Sequence, residues 1–126
     1  FYWDMNDQTR AFAKRFAAVD KGIHPTMVHA GVYASTLHYL KAVEALKSDD
    51  GTKVVAKMKE MPTDDPLFGK GTIRADGRKI HPAYLFEVKS PAESKYPGDF
   101  YKLRATIPAD EAFRPLKEGN CPMVSG

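Results

Sequence analysis

His24, His29, His38 and His81 are the side chains of this sequence best suited to ligate a metal or carry a proton near neutral pH. A zinc site asks for HExxH, or for paired CxxC and HxxxH, and none of these spacings occurs. The one thiol, Cys121, is remote in sequence from all four histidines. No metal and no cofactor is expected. Ser35 and Cys121 both lack the GxSxG elbow that presents a nucleophile. The acid pairs Asp49-Asp50 and Asp64-Asp65 could divide acid and base roles, but their Pro and Gly flanks put them in turns, where capping or solvation accounts for them. Gly69-Lys70-Gly71 has part of a phosphate loop, yet lacks the outer Gly and the Ser or Thr after Lys, and reads as a hairpin turn. No catalytic residue is assigned, and an enzyme is not expected.

The element that must position anything else is Pro25–Lys47, PTMVHAGVYASTLHYLKAVEALK. Val32, Leu37, Leu40 and Val43, with Tyr33 and Leu46 at the margins, recur near helical spacing, and Ala30, Ala34, Ala42 and Ala45 permit close approach of neighbours. The pattern predicts a buried central helix, with Lys41, Glu44 and Lys47 on its wet side. His38 falls inside it as a hydrogen-bonded core histidine. His29 falls at its start, where free amides point outward, and is placed to touch a ligand.

The other segments are shorter. Phe1–Trp3 reads as a strand or extended entry, and Asn6 or Asp7 caps a first helix with Phe12, Phe16 and Val19 buried and Gly22 as its stop. Asp50 caps a third helix, with Val54, Val55, Met58 and Met61 as contacts and Pro62 as its end. The Asp76-Gly77 pair predicts a hairpin, followed by a buried strand at Tyr84–Val88, a loop at Ser90–Asp99 and a strand at Phe100–Ile107. A helical turn at Asp110–Arg114 and a tail from Pro115 complete the chain. Two core-grade helices and two core-grade strands are thin cover for the spine, which favours a fragment, an oligomer or both.

With 126 residues, one domain is expected. No apolar run reaches the roughly 20 residues of a membrane-spanning helix. The net charge of +3 is scattered among acids, with no basic run or basic helix face, so no nucleic-acid partner is expected. The opening FYWDMND has neither initiator Met nor leader and suggests a mature or proteolysed piece. Cys121 reads equally as a free thiol or as half of a bridge in an exported parent.

Four stretches, FYWDMNDQTRAFAKRF, PTMVHAGVYASTLHYLKAVEA, PLFGKGTIRADGRKIHPAYLFEVKSP and DFYKLRATIPADEAFRP, cover nearly the whole chain. Their order resembles the C-terminal third of a periplasmic solute-binding protein of the branched-chain amino acid type, the receptor of ABC importers. The resemblance implies an α/β chain with part of the type I periplasmic-binding-protein fold: three helices, a hairpin and short strands, with an incomplete sheet. It implies one unit, with residues 1–89 mainly in the N-terminal lobe and 90–126 carrying the last crossover and tail.

It further implies a non-enzymatic periplasmic protein that closes two lobes on a small molecule and delivers it to a membrane permease. Members of the family bind branched-chain amino acids, amides, urea-like compounds or aromatic acids. For this chain the expected ligand is an amino acid or aromatic carboxylate. The family's main binding residues lie upstream, and the expected contribution here is Val28 and His29, Tyr33 one turn on, and Trp3 near the hinge. As a fragment the chain is expected to form a homo-oligomer. The alternative is a small autonomous interaction domain that dimerises through its central helix.

Overall fold

Asn6 begins the first helix by closing a reciprocal pair of bonds: its Oδ1 accepts from the Thr9 amide at 3.0 Å, and Thr9 Oγ1 accepts from the Asn6 amide at 3.0 Å. In this computed structural model, which describes residues 1–122 and Val124, the helix α1 spans Asp7–Val19. Phe12 is buried and Phe16 half-buried, but Val19 is 87% exposed, so the buried stripe ends one turn sooner than expected. Gly22 follows with φ +78°, its amide donating to Ala17 O, and turns the chain away.

Helix α2 (Met27–Leu46) is the longest element, as its apolar repeat requires, but its burial corrects the expectation of a covered spine. The face it buries is the small one, Ala30, Ala34, His38 and Ala42. The bulky residues of the other face are open: Val28 is 67% exposed, Val32 62% and Leu40 54%. The small side chains let helix α3 (Gly51–Glu60) pack close, and His38 Nε2 meets the Met58 carbonyl at 2.8 Å, as expected of a core histidine. Asp50 caps α3 by accepting from the Lys53 amide, and Val54 is fully buried while Val55 is exposed.

After Pro62 come three short antiparallel strands, β1 (Thr63–Asp65), β2 (Gly69–Ile73) and β3 (Lys79–Ile80), in the order β1-β2-β3. Gly69-Lys70-Gly71 therefore lies in a strand and not in the hairpin turn assigned to it. Gly71 is opposite Thr63, and a Cβ there would stand 2.4 Å from the Ile80 carbonyl oxygen, so only glycine fits that crossing. The turn between β2 and β3 is the expected one, with Gly77 at φ +82° and its amide donating to Arg74 O.

Strands β4 (Ala83–Val88) and β5 (Tyr101–Ile107) pair antiparallel from Ala83↔Ile107 to Val88↔Tyr101, with an irregularity between Leu85 and Phe86. The ribbon is not the buried strand expected at Tyr84–Val88: Leu85, Glu87 and Val88 face solvent while Tyr84 and Phe86 are half-covered. Its backbone approaches no helix and none of β1–β3 among the described residues. Phe1–Trp3 form no strand either: their backbone pairs with none of β1–β5. A helical turn follows Pro108, and a 3-10 turn at Leu116–Gly119 lies in the segment read as tail.

Candidate ligand-binding site

The start of α2 is where the sequence-derived ligand contacts gather. Thr26 precedes the helix in extended conformation, and its backbone N–H donates to His29 Nδ1 at 3.0 Å. That bond needs the Nδ1 lone pair, so the ring proton of the neutral imidazole resides on Nε2, which is left as a donor. The His29 ring packs on Phe16 at 4.8 Å between centroids, and one turn on Tyr33 packs on Phe12 at 4.9 Å.

Together with Val28, Val32 and Leu40 these rings line an open groove of about 470 Å³ between α1 and α2. Its surface is almost entirely hydrocarbon and aromatic. Such a groove offers an apolar wall with the polar groups of His29, Tyr33 and Thr36 in its lining, which suits a compact molecule having an apolar body and a hydrogen-bonding group.

The structure brings Val28, His29 and Tyr33 together and puts Trp3 elsewhere. Trp3 lines a separate cavity of about 330 Å³ on the other side of the α2 start, with Tyr2, His24, Met27, Phe100 and Tyr101. Its indole lies flat on the His24 ring, 3.9 Å apart and 3° from parallel. His24, Tyr2 and the loop glycine Gly98 had no local signal in the sequence. Of these, Gly98 meets Trp3 because the loop before β5 returns to the chain start.

Among the described residues no Asp, Glu, Lys or Arg lines either space. Asp65 is buried at the end of β1, accepting from the amides of Leu67 and Phe68 and from Lys79 Nζ. Asp99, buried in the loop before β5, accepts from Lys89 Nζ and from the Lys95 amide. Burial holds His81 below the ordinary histidine range, against a bond to the Pro82 carbonyl. The acid pairs thus serve turns and ion pairs: Asp50 caps α3 and Asp65 closes the turn after β1. Among the described residues no three His, Cys, Asp or Glu side chains converge as a metal-binding group, and no helix is long and apolar enough to cross a membrane. Cys121 is a free, half-buried thiol.

Residues 1–95 match the family model described as periplasmic binding protein. A crystal structure of a periplasmic binding protein from Burkholderia mallei is 44% identical, with a TM-score of 0.92 over 99% of this chain and 33% of that one. A branched chain amino acid ABC transporter periplasmic ligand-binding protein from Burkholderia xenovorans LB400 is 46% identical, with a TM-score of 0.90 over 98% of this chain and 33% of that one. An ABC-type branched-chain amino acid transporter from Rhodopseudomonas palustris CGA009 is 25% identical, with a TM-score of 0.70 over 93% and 31%. This chain therefore spans about a third of the length of the solved structures it matches. No curated protein matches it.

Proposed function

Because this chain belongs to the periplasmic binding protein family, we propose that it forms the C-terminal part of the extracytoplasmic solute-binding component of an ABC importer. It acts in the periplasm without catalysing a reaction, and hands its solute to a membrane permease. Residues 1–89 lie mainly in one lobe, and 90–126 carry the last crossover and the tail. The solute is a small amino acid or an aromatic carboxylate, held between the lobes, and this chain contributes His29, Val28 and Tyr33, with Trp3 on the far side of the α2 start.

The observation that carries this reading is the likeness to the two Burkholderia proteins, at 44% and 46% identity over nearly all of this chain. The groove supports it: aromatic and aliphatic walls replace water around a hydrocarbon body, and the His29 Nε2–H serves an acceptor such as a carboxylate oxygen. Calorimetric titration of the longer protein that includes this chain, with leucine, phenylalanine and benzoate as probes, tests it. At least one probe is expected to bind, and His29→Ala is expected to weaken it about tenfold, the loss of one hydrogen bond to a charged group. If none of the three gives heat or raises the melting temperature, the proposed solute class is wrong.

A second reading has its own observation. The open face of α2, with Val28, Val32 and Leu40 more than half exposed, is a surface on which two copies of this chain would associate as a small interaction module.

A further inference from the structure

Two parts of the molecule 96 residues apart are tied at a single carbonyl. Gly98 O accepts from Tyr2 Oη at 2.7 Å, from Trp3 Nε1 at 3.1 Å and from the Phe100 amide at 3.0 Å, and that amide is shared with the Tyr2 hydroxyl at 3.2 Å. Tyr96 Oη adds a bond to Asp4, which also pairs with Arg10 of α1. The residue at position 98 has φ +89°, a conformation glycine adopts freely. A Cβ there would stand 2.8 Å from His24 Cδ2 and 3.2 Å from Trp3 Cζ2. The bare backbone is thus in contact with both rings of the Trp3–His24 stack. Among the described residues His24 Nδ1, sealed from solvent, has no hydrogen-bond partner, and the ring packs on Trp3.

The β4–β5 ribbon depends on the same knot. Its backbone approaches no other helix or strand among the described residues, while the Tyr2 ring meets Phe86 and Tyr101 edge-on at 5.8 and 5.2 Å.

We infer that Gly98 is a positioning residue: its carbonyl, shared by the Tyr2 and Trp3 side chains, and its missing side chain hold the Trp3–His24 stack and couple the ribbon to the helical body. Its bearing on solute capture rests on the reading of Trp3 as a ligand contact, since Gly98 sets where that indole stands. The coupling itself is measured without solute, so it stands or falls separately from the proposed function.

Trp3 is the only tryptophan of the chain, and its emission therefore reports this one ring. Tyr2→Phe keeps the ring and deletes the hydroxyl, while Gly98→Ala keeps the hydroxyl and inserts the colliding methyl. Both variants are expected to shift Trp3 emission to longer wavelength and to raise its quenching by acrylamide. Hydrogen exchange of β4 and β5 amides is expected to accelerate about tenfold, as for one or two lost hydrogen bonds, with α2 and α3 amides unchanged. If Gly98→Ala does not fold, Tyr2→Phe decides alone. Unchanged emission and exchange would overturn the inference, and so would acceleration of α2 and α3 by the same factor as the ribbon, because that is loss of global stability and not of a local joint.

Discussion

Asp65 is a carboxylate taken out of water and given three donors in return: the amides of Leu67 and Phe68, and Lys79 Nζ at 2.5 Å. Burial by itself raises its pKa, but the hydrogen bonds from Lys79, Phe68 and Leu67 outweigh it and hold the carboxyl below its ordinary 3.8. The folded value is the lower one, so the unfolded chain binds the proton more readily. The stability Asp65 contributes is present above the unfolded value and is lost as pH falls through the folded one. Asp65→Asn should therefore be less stable than the parent at pH 7 and should show a shallower loss of stability below about pH 4 in urea melts. An acid limb identical in both proteins would remove Asp65 from the account. Sequence reading assigned the Asp64-Asp65 pair to capping or solvation, and Asp65 does close a turn; its ion pair with Lys79, fourteen residues on, depends on the register of three strands.

At the scale of elements, α3 shows how one face decides cost. Val54 is fully buried in α3, which packs on α2 and β2, and Val55, its neighbour in sequence, is exposed. Val54→Ala removes two methyl groups from a filled space and should cost about 2 kcal/mol, while Val55→Ala should cost below about 0.5 kcal/mol. Chemical denaturation of the two variants measures the difference, and equal costs would mean that α3 does not pack as described. Helix starts were legible because caps are local: Asn6 and Asp50 each bond an amide three residues ahead. The burial of α2 was misjudged because its periodicity marks two apolar faces, one small and one bulky, and periodicity alone does not say which neighbour covers which.

For the whole molecule the bare face of α2 has the largest consequence. Val28 and Val32 on adjacent turns and Leu40 two turns further on lie beside Phe12, Phe16 and Tyr33, forming an apolar groove with little polar rim. Such a surface in water lowers its free energy by association. Sedimentation of this 126-residue chain should show a dimer or larger species at high concentration, and Val32→Asp, placing a charge in the middle of the groove, should shift it toward monomer. A parent chain that stays monomeric throughout would contradict self-association. The sequence was informative here too, since two core-grade helices and two core-grade strands were too little cover for so apolar a rod.

What the order of residues determined by itself was the local physics: two capped helices flanking a long apolar one, a glycine turn between short strands, a core histidine, and four stretches ordered as in the periplasmic binding proteins. Only the tertiary structure decided that Trp3 stands apart from His29 and Tyr33, and that Gly98 ties Tyr2 and Trp3 to the distant ribbon. The reason is range. A cap or a turn is made by atoms within a few residues of each other and leaves its mark in spacing. A carbonyl shared across 96 residues exists only after the intervening elements have packed and brought its donors to it.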